Sequence, residues 1–550
     1  MTCGKRGQST GETAIIRDSS MTDLATLFRR GEVYADSWSV EVRRQLNVED
    51  PLVGLVTQAL NDGRHVVITG NAGDGKSHLL SMALDASAPK PSLEADDRSP
   101  AALSPGDRLF IRDAATLDDA AILAWTDAAT ANGCQLVITL NEGPLSSLAR
   151  LQGEGLYEQV RKVTHARARG EEMDDPSGVL LVNLAGRQLV HAGFVARALD
   201  RLLPAVDPCR TCGDDTTCPR TAGRDLLARS PQAADRLTKL LSLLGQSGLR
   251  LTARELWVFL AELFFAWQCP PRARDVQKLA GWWWSRVFDP ATSMGRMISR
   301  EFDPIHTANS FVDSHLWLGN NERVGVAPEV PLFHPALIHR RDRKGALKAF
   351  AAAKRAWFFL AADLRVEEFI DRQSHIPDYV DLLQEAREEP HRAVQRVVAE
   401  INRYRLTVGT GKQLHLSRHH GLTAVTRPSV LAASASISSD ELTVRLPYLH
   451  EDHGVESAGF KPSKLELSWK QGRGAVLSLD YETWRQLHQP RTVQSDRTQE
   501  ALDMALDLFI GQAPAKPVTD PEITAVDHAT GVRTTVTVRG GRRPEIEVNS

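Results

Sequence analysis

At 550 residues, 42% hydrophobic and 25% charged, the chain has the composition of a folded globular protein and the length for about three domains. A formal net charge of −3 excludes a protein that coats nucleic acid through its overall charge, so any DNA contact has to be local. No run of about 18 apolar residues occurs and no basic-apolar leader opens the chain, so no membrane partner and a cytoplasmic location are expected.

Residues 1–35 read as a polar tail. From 36 to 200, apolar strand-like runs alternate with helical segments, the pattern of a parallel α/β sheet. Strands are predicted over 66–69, 108–112, 135–140 and 179–183, and helices over 118–131 and 148–168. The proline-rich stretch 86–106 reads as a surface loop. Residues 201–225 form a cysteine-rich insert, and 226–405 turn helical, with apolar stripes over 233–244 and 252–268. Trp282, Trp283 and Trp284 close that stripe as expected lid core or a patch between subunits. Residues 303–331 look loop-rich; helices follow over 346–360, over 366–386 with a break at Pro377, and over 392–404. After a boundary within 405–430, residues 406–550 read as an α+β module. Its strands are predicted over 442–446, 464–469, 475–479 and 533–538, with one helix over 498–510. No internal repeat is seen.

The most informative stretch is Gly70-Asn71-Ala72-Gly73-Asp74-Gly75-Lys76-Ser77, set between the apolar run ending at Thr69 and the helical run from Leu79. It fits the P-loop pattern G-x-x-x-x-G-K-[ST] in the strand-loop-helix context the pattern requires. Glycines let successive backbone N–H groups point into one concavity that holds phosphate oxygens, and the helix N-terminus adds partial positive charge. Lys76 reaches the β- and γ-phosphates, and the Ser77 hydroxyl is a Mg²⁺ ligand. ATP and Mg²⁺ are thus the expected ligands, with residues 70–77 and His78 lining the nucleotide site.

Such a site also needs an acid for Mg²⁺ on a neighbouring strand tip. Asp113, 36 residues after Ser77, ends the run Leu109-Phe110-Ile111-Arg112 and is the candidate. The next strand ends in Asn141-Glu142, where a polar residue can orient the attacking water. Asn183 ends the last strand, and Arg254 opens a helix in the lid region. Arg167, Arg169 and Arg187 flank the last strand and are unranked candidates for an arginine acting on a neighbouring subunit.

This order of parts resembles the AAA+ class, in which Asn141 matches sensor 1 and Arg254 sensor 2. The fold class it implies is an α/β P-loop NTPase core with a helical lid and a C-terminal α+β module. The chain departs from that class at Ala114, where a Glu normally follows the Walker B Asp. Either Glu142 takes that role or hydrolysis is slow.

Cys209, Cys212 and Cys218 crowd into ten residues, and Cys209-x2-Cys212 has the knuckle spacing of a tetrahedral metal site. Cys269 or His191 is the candidate fourth ligand. A structural zinc, an iron–sulfur cluster and a metal-free loop all remain open on these residues. Two basic runs stand out: His339 to Lys344 with Lys348, Lys354 and Arg355, and Arg403 to His420. Both could neutralise phosphates, with Trp357 near enough to stack on a base, but a solvated helix face is the plainer reading.

Taken together, residues 40–360 resemble the ATPase component of DNA-phosphorothioation-dependent restriction systems, the DptF-like proteins, and related bacterial anti-phage ATPases. The elements that carry the likeness are the P-loop, Asp113-Ala114-Ala115, Asn141-Glu142-Gly143-Pro144-Leu145, the cysteine insert and Leu251-Thr252-Ala253-Arg254-Glu255. The resemblance implies an ATP-driven subunit of a DNA-restricting complex, with other defence subunits and DNA as partners and homo-oligomerisation open. A nucleotide-dependent switch or scaffold with little turnover is the alternative, and a STAND-like signalling NTPase a third, against which the lack of repeats counts.

Overall fold

The computed structural model describes residues 47–95, 100, 103–112, 114, 117–206, 218–248, 251–265, 279–332, 334–362, 366, 368–370, 374–420, 430–449, 453–455, 459–471, 475–489, 497–513, 518–528, 530–539 and 545–549. Its N-terminal part is a five-stranded sheet of β1 (His65–Thr69), β2 (Ser92–Glu94), β3 (Arg108–Ile111), β4 (Gln135–Leu140) and β5 (Val179–Asn183). The spatial order is β2-β3-β4-β1-β5, and every pairing is parallel. Parallel strands are covered on both faces, which is why the runs other than the edge strand β2 are largely apolar. Successive side chains go to opposite faces. Val67, Leu109, Ile111, Leu136, Ile138 and Leu181 pack with Trp125 and Tyr157 on one side. Val66, Ile68, Phe110, Val137, Leu180 and Val182 pack with Leu52, Val56 and Leu79 on the other.

The interval 86–106, expected as loop, contains the short edge strand β2; three residues with only Leu93 half-buried leave little periodicity to detect. The single helix expected over 148–168 is two, Glu142–Gln152 and Leu156–Ala168. Gly153 has a left-handed φ of 72°, and a Cβ on Gly155 would lie 2.2 Å from Gln152 Cδ. The Gln152 side chain instead accepts the Tyr157 N–H and starts the second helix. Residues 303–331, expected as loop-rich, also hold the helix Ser310–Trp317. At Pro377 the expected break is a helix start, with the proline in the first turn of Ile376–Glu388.

Beyond the sheet, helices including Ala192–Leu202, Pro219–Arg229, Pro231–Gln246, Ala253–Phe265, Arg343–Leu360 and Pro390–Leu406 lead into two antiparallel sheets. One is β8 (Leu442–Arg445), β9 (Leu465–Trp469) and β10 (Leu477–Leu479) in the order β10-β9-β8. The other is β6 (Gln413–His420), β7 (Val430–Ser438), β11 (Val518–Asp527), β12 (Val532–Arg539) and β13 (Glu545–Asn549) in the order β13-β12-β11-β7-β6. One continuous apolar core joins Leu237, Trp283, Trp357, Tyr379, Leu467, Trp484 and Phe509, so the helical region and these sheets share an interior. Asn402, on Pro390–Leu406, donates to the carbonyls of Thr410 and Gln413 and accepts the His415 N–H, fastening that helix to β6.

His65, which opens β1, accepts the Leu136 N–H on its Nδ1 at 3.0 Å, so the ring must be neutral there. Burial pushes its pKa below 6.5 in the fold. As pH falls through 6.5 the unfolded chain takes the proton first, so this group's stabilisation is present above that pH and lost below it. His65→Asn, which keeps an acceptor but does not titrate, is expected to flatten the stability profile between pH 7 and 5 relative to the parent. Chemical denaturation across that range checks it, and parallel profiles would count against the assignment.

Candidate functional site

The glycine loop lies at the carboxyl end of β1, flanked by the ends of β4 and β5, the edge where ligands bind in open parallel sheets. Gly70, Gly73 and Gly75 all have positive φ, at 150°, 87° and 89°. At Gly70 a Cβ would come within 2.9 Å of Asp74 Oδ2 and 3.2 Å of Leu184 Cβ, so backbone freedom and space are both needed. The buried carboxylate of Asp74 folds the loop on itself by accepting the Asn71 N–H at 2.6 Å. Ala72 is exposed at the crest. Gly75 is the N-cap of the helix Lys76–Ala86, whose first turn carries Ser77 and His78, both half-buried.

Lys76 Nζ donates to Asn71 O at 2.7 Å, to Gly70 O at 3.3 Å and to Asn141 Oδ1 at 2.8 Å. Asn141 is also the N-cap of Glu142–Gln152, yet its side chain makes no capping bond. An N-cap asparagine ordinarily accepts a backbone N–H from the first turn. Here it faces the lysine 65 positions earlier in the chain. That departure from the local rule marks the residue for the site rather than for its own helix.

On the other flank, Asn183 is fully buried and its Oδ1 accepts the Ala185 N–H. Its amide nitrogen and the hydroxyl of the adjacent Thr69 have no hydrogen-bond partner among the described residues. Thr69 escapes sequence reading because a threonine at a strand end is unremarkable.

The helix Ala253–Phe265 approaches from above. Thr252 caps it reciprocally with Glu255: the Glu255 N–H donates to Thr252 Oγ1 at 3.2 Å and the Thr252 N–H to Glu255 Oε2 at 2.9 Å. The Thr252 side chain rests against Gly73, 3.3 Å from where a Cβ would stand. Arg254, half-buried in that first turn, follows two residues after this contact although 178 residues separate it from Lys76. Glu142 lines a cavity of about 190 Å³ together with Gly186 and Gln188 beyond β5, Gly248 and Leu251 from the helical region, and Tyr448 from the C-terminal part. Tyr448 carries no sequence signal for this place, and the capping pattern Thr252-x-x-Glu255 announces a helix start without showing that it meets Gly73.

That C-terminal contact is close. Arg187 bridges Phe460 in antiparallel fashion, and Gln188 N–H donates to Gly459 O at 2.7 Å. Tyr448 N–H donates to Arg167 O, and its ring would lie 2.6 Å from a Cβ on Gly186. In the helical region, a Cβ on Gly248 would meet Ser463 O at 2.0 Å. The sheet end, the helical region and the C-terminal part thus converge beside Gly186.

The arginines flanking β5 are sorted by burial. Arg187 is 3% exposed and grips Asp50 through two bonds of 2.7 and 2.9 Å. Arg167 is buried on Asp175 at 2.8 Å, and Arg169 pairs with Glu171 at the surface. The first two are held in ion pairs within the fold.

Asp113 lies outside the described residues, two positions past the end of β3 at Ile111. Cys209, Cys212 and Cys269 also lie outside them. Cys218 is a buried free thiol at the start of Pro219–Arg229, and no metal-holding group occurs among the described residues. His191 is held neutral, its pKa lowered to about 4 by burial and by Arg187, Arg197 and Lys461. Trp282 to Trp284 and Trp357 are buried, Trp282 stacked on Trp284 at 4.7 Å, so Trp357 is core and not a platform for bases. No helix among the described residues is long and apolar enough to cross a membrane.

No family model, no curated protein and no solved structure matches this chain.

Proposed function

We propose that the chain is an ATP-binding and ATP-hydrolysing subunit of the AAA+ kind, acting in a bacterial DNA restriction or anti-phage complex. The observation that carries the reading is the seat of Lys76, its ammonium shared between two loop carbonyls and Asn141 at the tip of β4. A triphosphate in the loop would take this cation from acceptors it already faces. Gly70, Gly73 and Gly75 let loop N–H groups turn toward phosphate oxygens. Asn141 would then be free to orient water, and Arg254 would meet the terminal phosphate from the lid. Ser77 and Asp113 offer the hard oxygen donors that suit Mg²⁺, an ion that neutralises charge between the β- and γ-phosphates. The DNA-restricting context rests on the resemblance of the motifs alone.

A second reading, a nucleotide switch with little turnover, is favoured by Ala114, a buried residue without a carboxylate where an activating Glu would stand. One experiment separates the two: binding of a fluorescent ATP analogue, with steady-state hydrolysis measured with and without duplex DNA. Binding with hydrolysis that rises with DNA is the expected result. Binding without turnover in either condition would favour the switch, and no binding would overturn both.

A further inference from the structure

We propose that the corner joining the helices Pro335–His339 and Arg343–Leu360 holds the phosphodiester backbone of duplex DNA, without reading its sequence. Arg340, Arg341, Arg343, Lys344 and Lys348 are all exposed there, and none is in an ion pair among the described residues. The single acid between 335 and 348 is Asp342, whose carboxylate is committed to capping the long helix by accepting the Gly345 N–H at 2.9 Å. The patch is opposite in sign to the chain's net charge of −3.

The fold gains nothing from these cations. Arg343 and Lys344 occupy the first two positions of an 18-residue helix, where the helix dipole disfavours positive charge. Lys344 and Lys348 stand four apart on one face, a like-charge spacing that also destabilises a helix. Phosphate reverses both effects, because helix N-termini and arginine forks are its ordinary ligands.

The rest of the basic sequence has structural work. Lys354, later in the same helix, is buried on Asp313 at 2.7 Å and on Thr307 O, and Arg355 is paired with Asp303. In the second basic run Arg403 is paired with Glu400, and Arg405 is buried against Asp507. The structure thereby divides a run of sequence into an internal half and an outward one. The choice of duplex DNA as the polyanion rests on the function proposed above; the charge and geometry of the corner do not.

The test is anisotropy of a fluorescent 30-bp duplex titrated with the full chain across a salt series, for the parent and for Arg340→Gln/Arg343→Gln/Lys344→Gln. Each lost phosphate contact flattens the plot of log affinity against log salt by about 0.9. The triple variant is expected to bind at least tenfold more weakly at low salt, with a slope shallower by roughly 2–3, while the fluorescent ATP analogue binds as in the parent. Unchanged affinity and slope would overturn the proposal, whatever other partner the corner then serves. DNA binding lost in the variant while the parent fails to bind nucleotide would uphold this surface and remove the ATPase reading instead.

Discussion

Replacing Lys76 by alanine is expected to abolish nucleotide binding at micromolar concentrations and reduce ATP hydrolysis to background. Charge-assisted hydrogen bonds contribute about 1.5–3 kcal/mol each. An ammonium on the β- and γ-phosphates makes at least two, so affinity should fall by roughly a hundredfold or more. The fold has no comparable stake. Lys76 is half-buried at the edge of the sheet, and two loop carbonyls and the Asn141 amide are among its partners, none of them in the apolar core. Titration of the fluorescent ATP analogue, beside thermal unfolding of both proteins, gives the result directly. Parent-like affinity in the variant would sink the assignment of the loop as a triphosphate site.

The second large effect is at Arg187. Its guanidinium is 3% exposed and doubly bonded to Asp50, which is 12% exposed and also accepts the Leu52 N–H at the start of Leu52–Asn61. Removing one partner of a buried pair leaves the other charge uncompensated and costs about 3–5 kcal/mol. Arg187→Ala should therefore lower stability to denaturant by that amount, and Asp50→Asn added to it should recover part of the loss. Hydrolysis per folded molecule at saturating ATP should survive. The opposite pattern, unaltered stability with hydrolysis gone, would return Arg187 to the chemistry and count against the buried-pair account.

How much of this was legible depends on how each feature is encoded. The four longer strands of the parallel sheet read clearly because both faces are buried, which makes runs such as Leu136 to Leu140 apolar except for the buried Thr139. β2 was not legible, since a three-residue edge strand carries almost no pattern. The two glycines that split residues 148–168 sit in a sequence whose apolar spacing continues across them, so periodicity overrode the local break. The glycine loop is encoded locally and is complete in eight residues. Its surroundings are not: Thr252 against Gly73, and Tyr448 against Gly186, are placed by packing between distant segments. The basic run at 339–355 looked uniform, and only burial separates Lys354 and Arg355 from the exposed cations before them.

The distribution of cores also sets an order of assembly on a chain emerging from its N-terminus. The two layers that sandwich the parallel sheet draw their buried residues from Leu52 to Leu184. They can close while the remainder is still being made, as N-terminal units commonly do. The third core cannot, because it unites Val48 with residues as late as Ile510. Arg405, with no exposed side-chain surface, waits for Asp507, and Tyr404 waits for Asp503. Contacts of such long sequence separation are slow to form. The glycine loop is thus finished first, and the helix whose Thr252 settles on it is locked down only when the helix Arg497–Gly511 arrives.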